Sequence, residues 1–213
     1  MKCNIITSMS RPENIKYMLE VLKSKDIIWH IITDETATYP YDFSEYPWIK
    51  HYIAPESNRI PYHERQYSAL NWFFNNYKMN DEEIYGFLND DDSVEETFFN
   101  KISLQENLDY DLIMVSMLRG DRQPPCDPVK AYGTAPLYAQ PGIGEGGIAL
   151  EQFWVKGKVF EMRLPNGDVF LYHHSADGFW AVKVMQQYKT KYLDTAFVLF
   201  NYFEPGRWLS FVP

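Results

Sequence analysis

The chain has 213 residues, enough for one well-buried core and too few for two ordinary domains, so a single domain over 1–213 is expected. A formal charge of −9 argues against broad adhesion to nucleic acid or anionic lipid, and no run reaches the roughly 18 apolar residues of a membrane span. Cys3 and Cys126 alone cannot supply a disulfide scaffold or zinc-ligand spacing, which leaves a reducing, cytoplasmic setting as the expectation.

Met1 to Asn4 leads straight into a strand pattern, Cys3 to Ser8, with no secretory segment ahead of it. Ser10-Arg11-Pro12-Glu13 reads as a capping box with proline in the first turn, and Ile15, Met18, Leu19 and Leu22 then recur at helical spacing. Ile27 to Thr33 reads as a second strand ending at Asp34-Glu35. A Tyr/Pro-rich loop follows, and a third strand lies near Trp48 to Ile53. From Pro61 a long helix presents Ala69, Leu70, Phe73, Phe74 and Tyr77 on one face, with Asn71, Asn75 and Asn76 beside it. Ile84 to Leu88 is a fourth strand. The alternation of strands and helices predicts an α/β fold with a mostly parallel sheet flanked by helices. A helix is expected near Glu95 to Leu104, a strand over Asp111 to Met117, and a long Pro/Gly-rich loop over 119–147. Asn166-Gly167 signals a C-terminal hairpin between Lys158–Leu164 and Val169–Tyr172, before a last helix starting near Ser175. The apolar ending Trp208 to Pro213 is what a domain cut from a longer chain would show.

Asp90, Asp91 and Asp92 follow the fourth strand, at the end where open α/β sheets bind ligands. If the strand conformation persists, Asp90 and Asp92 share a face and make a hard-oxygen site for Mn²⁺ or Mg²⁺, with phosphate oxygens completing the shell. The structural alternative is a solvated acidic turn capping the next helix. Arg65 lies on the line of the apolar helix face and needs a partner, either Glu35 or Asp34 in a salt bridge or a bound nucleotide. Gly142 to Gly147 partly imitates a dinucleotide fingerprint but sits far from the first strand. Gly146 and Gly147 are better read as letting backbone approach a sugar, with Glu145 bonding its hydroxyls or acting in catalysis. His173 and His174 are candidate further metal ligands or packed residues, and Asp177 is either a base for the acceptor proton or a helix-dipole residue. Trp154, Phe179 and Trp180 are either near the acceptor side, where they could stack on a sugar, or core residues as most aromatics in such a chain are, and none is named as a site.

This arrangement resembles the GT-A glycosyltransferases, whose Asp-x-Asp motif follows the fourth strand of such a sheet. Trp29-His30-Ile31-Ile32-Thr33-Asp34, Arg65-Gln66-Tyr67-Ser68-Ala69-Leu70-Asn71-Trp72 and Gly146-Gly147-Ile148-Ala149-Leu150 are similar to segments of the inverting glucuronosyltransferase-type branch. In that branch the histidine follows the last helix, whereas here the pair precedes it. The spacing is also similar to glycosyltransferase domains of chlorella-virus proteins that glycosylate the capsid, which would imply host cytoplasm. The resemblance implies a GT-A-like nucleotide-sugar-binding fold, with Asp92 bonding the metal directly and Asp90 contacting ribose or a metal-bound water. It implies Asp34 on uracil or ribose, and Thr7, Ser8 and Arg11 bordering base and phosphates. Asp91 is grouped with these cofactor-binding residues.

The function expected is metal-dependent transfer of a hexose or deoxyhexose from a UDP-sugar donor to a glycan acceptor hydroxyl, with no nucleic-acid partner. The rivals are a sugar-nucleotide nucleotidyltransferase, disfavoured because Ser8 to Pro12 has no glycine, and a non-catalytic carbohydrate- or nucleotide-binding module.

Overall fold

The computed structural model describes residues 3–23, 25–35, 42–57, 62–119, 149–173 and 176–200. The elements in chain order are β1 (Cys3–Ser8), α1 (Ile15–Leu22), β2 (Ile27–Asp34), β3 (Ile49–Ala54), α2 (Tyr62–Asn76), β4 (Ile84–Phe87) and β5 (Ser93–Val94). They continue with α3 (Phe98–Ile102), β6 (Leu112–Arg119), β7 (Phe153–Lys156), α4 (Ala176–Gln187) and β8 (Thr190–Phe200).

The strands form one sheet in the order β3-β2-β1-β4-β7-β6-β8-β5. The block β3-β2-β1-β4 is parallel, as strand–helix alternation requires. β7 then enters antiparallel to both β4 and β6, β8 lies parallel to β6, and β5 closes the other edge antiparallel to β8. The sheet is therefore mixed. The chain steps outward from β1 to β2 and β3, then returns to place β4 on the other side of β1. The turns leaving β1 and β4 thus flank the reversal of strand order.

Both faces of the sheet are covered, and the period of two in the strands sorts side chains between two cores. Ile6, Ile32, Met114 and Phe153 join Leu70, Phe73 and Phe74 of α2 and Trp180 and Val184 of α4. Ile5, Trp29, Ile31, Ile113, Val115 and Trp154 join Ile15, Met18 and Leu22 of α1 and Phe98 and Ile102 of α3. The Trp154 indole lies directly on Gly86, where a Cβ would come within 2.3 Å of the ring. Trp154 is thus a core residue of the α1/α3 face, not an acceptor-side residue.

Three local expectations are corrected. The capping box is not seen: Pro12–Asn14 is a single 3₁₀ turn whose N-cap position is Arg11, without a side-chain cap, and the Ser10 hydroxyl ahead of it donates to Asp90. The C-terminal hairpin keeps its turn, with Gly167 at φ +89°, but not its strands. Gly157–Glu161 is a 3₁₀ helix that buries consecutive Val159 and Phe160, which a strand of alternating faces cannot do. On the other side of the turn, the Val169 and Phe170 N–H groups donate to Asn71 Oδ1 at 3.1 and 2.9 Å, and the Phe170 carbonyl accepts from Asn71 Nδ2 at 2.9 Å. A side chain takes the place of a partner strand. Finally, β7 and β8 have no counterpart in the sequence pattern; β8 is broken by a register shift, since Val115 pairs Leu193 but Ser116 pairs Phe197.

Candidate functional site

β4 ends at Phe87, and Leu88 adds one more backbone bond to Ile6 before the chain turns. The Asp92 N–H donates to the Asn89 carbonyl at 3.1 Å, so Asp90 and Asp91 ride a tight turn, not a strand. The expectation that Asp90 and Asp92 share one strand face therefore fails, because the strand has already ended. Instead Asp90 and Asp91 both reach Arg11, whose Nη1 lies 2.5 Å from Asp90 Oδ1 and 3.0 Å from Asp91 Oδ2. All three aspartates are buried.

Asp90 is saturated by the turn leaving β1. Its Oδ2 accepts from the Ser10 N–H at 2.5 Å, the Ser10 hydroxyl at 2.8 Å and the Arg11 N–H at 2.6 Å, and its Oδ1 accepts from the Arg11 guanidinium. A carboxylate with four donors is an anchor between the β1 and β4 turns. Thr7, also expected at the ligand, is fully enclosed and accepts from the Trp29 indole N–H at 2.9 Å, while Ser8 is half-buried.

A second layer of acid faces this run from sequence-distant elements. Glu151, in a short 3₁₀ turn before β7, is buried; burial pushes its carboxyl up to about 8. The charges of Asp177 and Asp91 raise it further, while its own backbone N–H and the Asn89 amide pull the other way. The Asn89 side-chain oxygen Oδ1 in turn accepts from Gln66 Nε2 of α2 at 2.8 Å. Asp177, half-buried in the first turn of α4, donates its backbone N–H to the Tyr67 hydroxyl. Burial, with Asp177 and Glu151 adding, holds that phenol well above its ordinary range. Sequence-based reasoning placed Asp177 near this region but missed Glu151 and Asn89. The one available signal was the polar pair Glu151-Gln152 set between apolar Leu150 and Phe153.

At the ends of β2 and α2, Asp34 and Arg65 form an ion pair at 2.6 Å, so two residues expected at the nucleoside meet each other. Beside them Thr33 Oγ1 and His51 Nε2 are 2.9 Å apart. His173 is exposed before α4. Among the described residues, no three His, Cys, Asp or Glu side chains converge as a metal cage requires. Glu145, Gly146, Gly147 and His174 lie outside the described residues. The donor chemistry at the acid run is nonetheless hard oxygen, suited to Mg²⁺ or Mn²⁺ held by few protein ligands and completed by phosphate. With Asp90 committed to the turn, Asp92 and Asp91 are the carboxylates that fit such an ion.

Of the other two aromatics, Trp180 is buried against Phe160 and Phe170, whereas Phe179 is 38% exposed. Phe179 lines an open groove of about 300 Å³ with Met162, Leu171, Ala176, Trp180 and Lys183. Among the described residues, no helix is long and apolar enough to cross a membrane.

No protein-family model matches the chain, and no curated protein does. Among solved structures it is similar to TarS of S. aureus, with a TM-score of 0.58 and 12% identity. That likeness takes in 92% of this chain and 36% of TarS, so the chain spans about a third of that protein. It is also similar to an inositol-1-phosphate CTP transferase from T. maritima, with a TM-score of 0.49, 11% identity, and 93% and 88% of the two chains covered. A protein described as a nucleotide-diphospho-sugar transferase, from Desulfovibrio desulfuricans G20, gives 0.42 and 13%, covering 91% and 80%. At these identities the likeness is one of fold alone, and the fold shared with TarS is a mixed α/β sheet flanked by helices.

Proposed function

We propose that this chain binds a UDP-sugar with Mn²⁺ or Mg²⁺ at the rim formed by the β1 and β4 turns, and transfers a hexose or deoxyhexose to a glycan hydroxyl. The observation that carries this reading is the position of the acid run. Asp90 ties the turn leaving β4 to the turn leaving β1, on the two sides of the strand-order reversal where open α/β sheets take nucleotides. Asp34, oriented by its ion pair with Arg65, accepts from a ribose hydroxyl or the uracil imide. A divalent cation at Asp92 and Asp91 supplies neutralisation of the diphosphate leaving group.

Asp177 is the candidate base. Its carboxylate takes the acceptor's proton as the acceptor oxygen bonds the anomeric carbon and the bond from that carbon to the diphosphate oxygen breaks. Glu145 is the competing candidate. Glu151, keeping its proton near neutral pH, limits the like charge facing Asp177 and Asp91. The exposed Phe179 ring, one turn of α4 beyond Ala176, offers an apolar face to an acceptor sugar.

Isothermal titration of UDP with and without Mn²⁺, on wild type and Asp92→Ala, tests the reading. Metal-dependent UDP binding is expected in wild type and a loss of at least about tenfold in Asp92→Ala. Wild type without metal-dependent UDP binding overturns it. Donor hydrolysis across UDP-sugars then separates an enzyme from a binding module, and pyrophosphate release from UTP with a sugar 1-phosphate would mark nucleotidyl transfer instead.

A further inference from the structure

Arg11 differs from the carboxylates it contacts. Asp90 and Asp91 are buried, whereas the Arg11 side chain is 39% exposed, so a cation that reaches solvent rests on buried anions. The link between the two turns does not depend on that side chain. Ser10 N–H, Ser10 Oγ and Arg11 N–H hold Asp90 Oδ2 by themselves, and three of the four donors would stay if the guanidinium swung away. The guanidinium is a planar fork with five N–H donors, which fits phosphate oxygens as well as carboxylate oxygens. Arg11 also stands directly ahead of the 3₁₀ turn Pro12–Asn14, in the connection leaving β1 beside the strand-order reversal.

We propose that the Arg11 guanidinium is an exchangeable counter-ion. It competes with a divalent cation for the carboxylates of the acid run, and passes to the diphosphate when nucleotide and cation bind together. This rests on the nucleotide-sugar reading above. One substitution should then have opposite effects on two ligands. Removing the charge removes a competitor of the metal ion, and removes a partner of the phosphates.

The test is titration of wild type, Arg11→Gln and Arg11→Lys with Mn²⁺ alone, followed by UDP at saturating Mn²⁺, with thermal unfolding run alongside to confirm folded protein. Arg11→Gln is expected to bind Mn²⁺ about tenfold more tightly than wild type and UDP about tenfold more weakly. Arg11→Lys, which keeps the charge but not the fork, should match wild type toward Mn²⁺ and fall below it toward UDP. If Arg11→Gln binds Mn²⁺ no more tightly than wild type, or if Arg11→Lys equals wild type in both titrations, the exchange is wrong, while metal-dependent UDP binding by wild type would leave the broader reading standing. If wild type itself shows no metal-dependent UDP binding, both fall.

Discussion

Two side chains, Asn71 and Asp90, are each 1% exposed and each tie a loop to the body of the molecule, yet they do so with different chemistry. Asn71 is neutral and gives the 169–170 segment three hydrogen bonds from within the apolar α2/α4 core. Asp90 is a carboxylate that takes four donors from the β1 turn. The amide leaves no charge behind. Asp91 and Asp92 follow Asp90 in the chain, Glu151 feels the charges of Asp177 and Asp91, and among the described residues Arg11 is ion-paired with Asp90 and Asp91. Equal burial and similar hydrogen bonding therefore mark a purely structural joint in one place. In the other they mark a rim where neighbouring carboxyl groups offer hard-oxygen donors to a cation.

Near pH 5, where native Glu151 keeps its proton, the largest expected effect on stability comes from the neutral joint. Asn71→Ala removes three buried hydrogen bonds and leaves the Val169 and Phe170 N–H groups enclosed, a loss of about 3 kcal/mol at about 1 kcal/mol for each bond. Urea unfolding would read it. At temperatures where the variant is folded, its metal-dependent UDP affinity should stay within about twofold of wild type. Asp90→Asn should invert that pattern. It keeps the shape and one acceptor oxygen, and the ion pair it loses involves a partly exposed, solvent-screened Arg11. It also relieves repulsion from Asp91, so the stability loss is expected at about 1 kcal/mol. UDP affinity with Mn²⁺ should nevertheless fall by about tenfold, because the β1 turn loses its charged anchor. If Asn71→Ala weakened UDP binding more than Asp90→Asn in folded protein, the distinction between joint and rim would collapse.

The same two residues show why some of the molecule was readable from sequence. The parallel block β3-β2-β1-β4 is buried on both faces, and its strands stand out as apolar runs with the long face of α2 between them. Asp90 to Asp92, Asp34 and Asp177 were legible because a strand end or a first helical turn is a position that local pattern identifies. Arg65 was legible as a charge on an apolar face. Asn71 was visible only as a polar residue beside that face. Nothing local says that it replaces a strand partner for residues 169–170, almost a hundred positions away. Glu151 was missed for the same reason, since the β7 connection alone brings it to Asn89 and Asp91. Ser10 was misread because local pattern offers its hydroxyl only the N–H groups of the following turn, whereas the fold brings up Asp90, a charged acceptor eighty positions away, for its O–H.

The last test, read as a slope and not as a stability at one pH, is the pH dependence of Glu151→Gln. Burial first, then the Asp177 and Asp91 charges, raise the Glu151 carboxyl from 4.5 to about 8. Between those values the native protein holds a proton that the unfolded chain has released, so native stability falls as pH rises through this window. The decline has a ceiling of about 1.4 kcal/mol per pH unit for one group, and it stops once native Glu151 is ionised. Glutamine keeps an oxygen and a nitrogen in place of the carboxyl and has no proton to lose. Its stability should be close to wild type near pH 5, exceed it progressively toward pH 8, and hold a constant advantage above that. Thermal unfolding of both proteins across pH 5 to 9 measures the gap. Parallel curves would mean that neither burial nor the Asp177 and Asp91 charges raise Glu151, and would remove the contrast between the charged rim and the neutral joint at Asn71.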